Sequence, residues 1–131
     1  MTPGKRDTIK RMLNKSKRAL RTAAQHVRDG DYDFASSKAY YAVFHHLQAL
    51  LLIKDLTYSK HSAVIAEFNR QYIKPGIFPQ EYSRNLGRLF KNRQIGDYDY
   101  MPSIDKEIAK EDLMIAKSMC DKFEEYLKNR I

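Results

Sequence analysis

An all-α bundle is the fold that this 131-residue chain predicts, and three observations carry the expectation. Apolar residues recur at helical spacing over long stretches, no segment alternates with the period of two that a strand needs, and Gly, Pro and Asp break the helical stretches at intervals that leave only short connections. The length suits one domain, residues 1–131, with a single buried core. A composition of 43% apolar and 31% charged residues fits a folded chain and excludes a disordered one.

The first helix is expected from about Asp7 to Arg28. At about 100° per residue, Ile9, Met12, Leu13, Leu20, Ala23, Ala24 and Val27 fall within an arc of roughly 140°. Lys10, Arg11, Lys15, Lys17, Arg18, Arg21 and Arg28 fill a separate arc of about 160°. Asp29-Gly30-Asp31 ends this helix, with Gly30 suited to a left-handed C-terminal position and Asp31 to capping the next helix. The second helix, about Tyr32 to Lys54, is apolar nearly all round between Ala39 and Ile53, so it should be the central one. Ser59 is the expected cap of a third helix, about Lys60 to Ile73, and Lys74-Pro75-Gly76 with Phe78-Pro79 should turn the chain. A fourth helix follows from about Gln80 to Arg93. Pro102-Ser103 should start the fifth, with Ser103 as cap and Asp105 and Glu107 in its first turn. That last helix places Ile104, Ile108, Ile115, Met119, Phe123 and Tyr126 on one side.

Several function classes are excluded at this level. No window approaches the roughly 18 to 20 uninterrupted apolar residues of a membrane span, and MTPGKRDTIK lacks the apolar stretch of a secretion signal. A single cysteine, Cys120, permits no intrachain disulfide and no cysteine-based zinc site, so a reducing cytoplasmic setting is expected, without metal or cofactor. Cys120 should be a small core residue. The charge is local: residues 1–28 hold nine Lys or Arg against Asp7 alone, which is the entire net charge of +8. A helix face so nearly free of acids suits an anionic partner, either nucleic-acid phosphates or an acidic protein surface. Lys10, Lys17, Arg18 and Arg21 are its candidate contacts.

The histidines offer less. His45 and His46 are adjacent, point about 100° apart on a helix, and have Tyr and Ala one turn away, so they should be structural, as should His61. RQIGDYDY, Arg93 to Tyr100, is more informative. Gly96 is expected to break the fourth helix and display Asp97 to Tyr100 from a turn. Arg93 can grip a phosphate with two donors, and tyrosines can stack on a base or offer a hydroxyl. The alternative is that Arg93 pairs with Asp97 or Asp99 merely to pin the turn.

YDFASSKAYYAVFHHLQALLL, KHSAVIAEFNRQYIKPGIFP and LGRLFKNRQIGDYDY, in that order, resemble the HEPN-domain family of small prokaryotic helical proteins. The resemblance extends over about residues 5 to 128. It implies an up-and-down four-helix bundle with an additional short helix, a homodimer, and a bacterial or archaeal source. It also implies a minimal nucleotidyltransferase as partner in a toxin–antitoxin-like pair. Ribonuclease members carry an arginine, four to six residues, a histidine, and often x-Tyr. Arg93 matches the arginine, Tyr98 stands where the histidine would be, and Tyr100 matches the following tyrosine.

The missing histidine matters because metal-free RNA cleavage deprotonates the 2′-hydroxyl and protonates the leaving oxygen near neutral pH, which suits an imidazole. A tyrosine titrates near 10 and an aspartate near 3.9, so neither replaces it well. General acid–base catalysis contributes about 10²–10⁴-fold. The reading that follows is a nucleotide- or RNA-binding partner of a nucleotidyltransferase with little or no catalysis of its own. Arg93 would hold phosphate, Asp97 would orient it, Tyr98 and Tyr100 would line the groove, and Tyr100 would be the residue open to adenylylation. Two alternatives stand beside it. One is a metal-independent toxin endoribonuclease using Arg93 with Tyr98, Asp97 or a histidine. The other is a structural dimerisation module with a basic docking helix.

Overall fold

Five helices, α1 Pro3–Asp29, α2 Tyr32–Leu52, α3 His61–Phe68, α4 Glu81–Tyr98 and α5 Lys106–Lys128, make up a computed structural model that describes residues 1–101 and 103–131. No strand occurs among the described residues. Helices α1, α2, α4 and α5 form the bundle. Helix α2 lies at its centre in contact with all three others and with the shorter α3, as its all-round apolar sequence requires.

Helix α1 begins four residues earlier than the periodicity indicates. Pro3 occupies the first turn, where its missing N–H costs nothing, and Thr2 Oγ1 accepts from the Lys5 amide at 3.2 Å. It ends as expected on Gly30, at φ +81°. Its fully buried residues, Ile9, Ser16 and Ala23, recur every seven positions along the seam that faces α2. Asp31 does not cap α2 with its side chain; it sits 3.8 Å from His26 Nδ1 instead. Nor does Ser59 cap α3, whose cap position is Lys60 with no side-chain bond. Helix α3 runs into one π-helical turn, Asn69–Ile73, which buries Tyr72 beside Phe68 and lets the Tyr72 hydroxyl donate to the Leu50 carbonyl. The predicted turn follows, with Gly76 at φ +82°.

The largest departure concerns α4. Gly96 does not break it: the helix continues through Asp97 and Tyr98, and Gly96 is buried inside it. A Cβ there would lie 2.8 Å from the Asp33 carbonyl oxygen. The glycine is therefore needed for close approach of α4 to the first turn of α2, and its backbone freedom goes unused. At α5, Asp105 Oδ1 caps by accepting from the Ile108 amide at 2.9 Å, whereas Ser103 donates its hydroxyl to Asp99 Oδ2 at 2.7 Å. Pro102, the other expected start signal, lies outside the described residues. Ile108, Ile115 and Tyr126 flank the buried face of α5, which centres on Ala109, Asp112, Ala116, Met119, Cys120, Phe123 and Leu127.

Asp112, fully buried on that face, ties three helices together. Its carboxylate accepts from Ser36 Oγ of α2 at 2.8 Å, from Arg88 Nε of α4 at 2.8 Å and from Asn92 Nδ2 at 2.9 Å. A buried carboxylate is tolerable only when its lone pairs are taken up in this way. The tie turns Asn92 towards α5, and successive helical residues diverge by about 100°, so the next residue, Arg93, faces α2.

Candidate functional site

Arg93 reaches α2 at the paired tyrosines of AYYAVFH. Its Nη2 donates to the Tyr41 hydroxyl at 3.0 Å, and its guanidinium carbon lies 5.5 Å from the Tyr40 ring, 5.4 Å from Tyr41 and 5.9 Å from Phe90. A guanidinium ringed by π faces is attracted by each of them. Asp97, one turn along the same helix, places Oδ2 3.0 Å from Arg93 Nε. The Nε–H is not aimed at that oxygen, so charge holds the pair and this buried donor has no hydrogen-bond acceptor among the described residues. Burial works against the charged guanidinium, but Tyr41 and Asp97 outweigh it and hold its pKa above the ordinary arginine value. About a sixth of the side chain, 16%, stays exposed. Arg93 is thus preorganised and still open to a ligand.

His61 belongs to the same cluster, although its sequence neighbours give no hint of it. Its ring stacks on Phe44 at 4.0 Å, meets Tyr41 edge-on at 5.8 Å, and its Nδ1 hydrogen-bonds with the Tyr40 hydroxyl at 2.7 Å. Burial, with the Arg93 charge adding to it, lowers the His61 pKa, and burial raises that of the Tyr40 phenol. A neutral imidazole beside a phosphate-competent arginine can accept a proton. His46 points the other way, into the core. Its Nδ1 is 2.7 Å from Ser16 Oγ and its Nε2 has no hydrogen-bond partner among the described residues. Cys120 is buried 3.8 Å from the same hydroxyl, and burial pushes its thiol up to about 12, which leaves it unreactive.

The remaining candidates are dispersed. Tyr98 is 74% exposed at the end of α4, and Tyr100 stands fully exposed just beyond it; neither belongs to the ring of aromatics around Arg93. On α1, Lys10 and Arg21 are exposed, while Lys17 leans towards α5, with its Nζ 3.5 Å from Glu124. Arg18 lines a groove of about 310 Å³ between α1 and α2, together with Lys15, Thr22, Lys38, Tyr41 and His45. Tyr41 therefore belongs to both features: its ring borders the groove and its hydroxyl holds Arg93. Tyr40, Tyr41 and Phe90 are the residues of this cluster that sequence reasoning missed, and His61, expected to be structural, joins them. The signal available was the spacing of Tyr41 and His45, one helical turn apart on a helix whose inner face was already full. Among the described residues, no group of three or more His, Cys, Asp or Glu converges as metal ligands would, and no helix is long and apolar enough to cross a membrane.

The family model described as HEPN domain matches residues 9–126. A UPF0332 protein of Thermotoga maritima is 36% identical over 95 residues, covering 72% of each chain. A Methanocaldococcus jannaschii protein named as a candidate toxin is 30% identical over 119 residues, 91% of this chain and 81% of its own. Among solved structures, a crystal structure from Thermus thermophilus superposes with a TM-score of 0.75, covering 89% of this chain and 96% of that one at 22% identity, which supports the fold.

Proposed function

The chain belongs to the HEPN-domain family, and on that premise we propose that it is a toxin-like HEPN module that binds RNA or a nucleotide. It catalyses little or nothing by itself and is paired with a minimal nucleotidyltransferase. The observation that carries the reading is the setting of Arg93. The guanidinium is oriented by the Tyr41 hydroxyl and Asp97, keeps part of its surface open, and has an exposed phenol, Tyr98, where a cleaving member of the family would present an imidazole. Such an arrangement has what phosphate binding needs and lacks, at that position, a group that carries protons near neutral pH. Tyr100, with its side chain wholly in solvent, is the acceptor offered to the nucleotidyltransferase.

One observation favours the endoribonuclease reading as a second. His61 is held in the Arg93 cluster by Tyr40 and Tyr41, and as a neutral imidazole it would act as the base. A single experiment separates the two: single-turnover cleavage and equilibrium binding of a mixed RNA pool, with chelator and without metal, in wild type, Arg93→Ala and His61→Gln. The proposed module gives no cleavage and an at least tenfold loss of binding in Arg93→Ala. Cleavage that disappears in both variants would replace it with the endoribonuclease. No binding by any of the three proteins would leave only a structural dimerisation module.

A further inference from the structure

The basic face of α1 is not uniform. Lys17 is neutralised by Glu124 of α5 and Arg11 by Asp7 of its own helix. Lys15 and Arg18 instead face Lys38 of α2 across the groove. All three are exposed, none forms an ion pair among the described residues, and no carboxylate lines the groove. Three uncompensated cations converging on a concave surface repel one another, and that repulsion is relieved by a bound anion. The volume of about 310 Å³ is at the lower end of small-molecule sites, about 300 Å³ and upwards. That is room for one nucleotide unit.

Tyr41 decides what kind of anion fits. It forms the wall between this groove and Arg93, so a ligand in the groove lies one aromatic ring away from a second phosphate-competent group. Two phosphate positions separated by a tyrosine match successive phosphates of a strand, with a base able to lie against the ring. A mononucleotide would fill only one of them.

We propose that the groove formed by Lys15, Arg18, Lys38, Tyr41 and His45 binds the backbone of single-stranded RNA, which continues past Tyr41 to Arg93. This rests on the RNA-binding reading above and narrows its ligand from a nucleotide to a strand. His45 reports the state of the groove. Burial lowers its pKa, and Lys15, Lys38 and His61 lower it further, against the hydrogen bond that the imidazole makes to Gln48 Oε1, which raises it. A phosphate in the groove offsets the lysines and raises it.

The test is fluorescence anisotropy with labelled oligoribonucleotides of one, two, four and eight residues over a range of salt. It compares wild type with Lys15→Gln/Lys38→Gln, Arg93→Ala and, as a charge-matched control on α1 outside the groove, Arg6→Gln/Arg28→Gln. Thermal melts verify that each variant folds. The groove predicts affinity that climbs with length, a loss of at least tenfold in Lys15→Gln/Lys38→Gln, and a log K against log [salt] slope shallower by about 1.4, since each lost contact to a single strand is worth about 0.7. The control should lose less than threefold. An equal loss in both variants would mean diffuse attraction by α1 and overturn the groove. Mononucleotide binding as tight as that of the octamer would overturn the strand. If Arg93→Ala abolishes binding while Lys15→Gln/Lys38→Gln leaves affinity and slope unchanged, the groove falls and the Arg93 reading stands. If wild type binds none of the oligonucleotides, both fall together.

Discussion

Two arginines five residues apart on α4 show how differently one side chain can be used. Arg88 meets a carboxylate brought from another helix: Asp112 is fully buried and also held by Asn92 and Ser36. Arg93 meets Asp97 from its own helix, a carboxylate 27% exposed, and a tyrosine hydroxyl. In the first case water cannot reach the carboxylate, so the loss of any of its three partners leaves a lone pair unfilled. In the second, both partners are partly exposed, so water can solvate either one if the arginine leaves. A cross-helix pair around a dry carboxylate is therefore architecture, whereas a same-helix pair that keeps part of its surface exposed is what the proposed phosphate site needs.

The comparison breaks most readily at Asp112. Asp112→Ala strands the buried Ser36 hydroxyl and the Asn92 amide and should cost about 3 kcal/mol. Arg93→Ala leaves two partners that water can reach and should cost about 1 kcal/mol or less. Urea unfolding of both variants measures the difference. Equal losses would make Arg93 a structural group and remove the basis for calling it a site.

A smaller effect sharpens the same helix. Gly96→Ala drives a methyl group into the Asp33 carbonyl and should destabilise by about 1–2 kcal/mol, overpacking outweighing the gain in helix propensity. Gly87→Ala, in the same helix with nothing within 4 Å of its Cβ, should stabilise by about 0.5–1 kcal/mol. Opposite signs in thermal melts confirm that Gly96 is a contact, whereas a stabilised Gly96→Ala would show that the two helices can part at no cost.

The smallest effect is a pH dependence. His46 is lowered by burial, the Ala42 carbonyl and Glu124 only partly opposing it; His45 and His61 are also lowered, each chiefly by burial. The unfolded chain binds protons below about 6.5 that the folded chain refuses. Stability is then complete above that pH and declines as the pH falls through the depressed folded values. The urea midpoint should drop between pH 7.5 and pH 5.5, and His46→Asn should reduce the drop. An unchanged wild-type midpoint would mean that the folded imidazole is protonated as easily as the free one.

Much of the architecture was legible in advance because it depends on local pattern. The apolar seam of α1, the all-round apolar α2, the left-handed Gly30 and the turn through Gly76 each follow from residues close in sequence. Asp31 holds the expected cap position of α2 without a side-chain bond, while the caps expected at Ser59 and Ser103 fall one and two residues later, at Lys60 and Asp105, because only the path of the chain selects the residue at which a helix starts. Gly96 misled for a related reason: a glycine looks the same in sequence whether the chain needs its backbone freedom or its missing side chain. Arg93 and Asp97 could be named as a pair from the i, i+4 spacing alone.

The sequence by itself determined the helices, the local concentration of charge on the first of them, and the arginine to watch. Only the tertiary structure decided that Arg93 is ringed by Tyr40, Tyr41 and Phe90, that His61 joins them from a separate helix, and that Lys15 and Arg18 meet Lys38 while Lys17 is spent on Glu124. The physical reason is range. Periodicity and capping act over a turn or two, whereas the groove and the aromatic ring exist only after burial has chosen which helical faces meet.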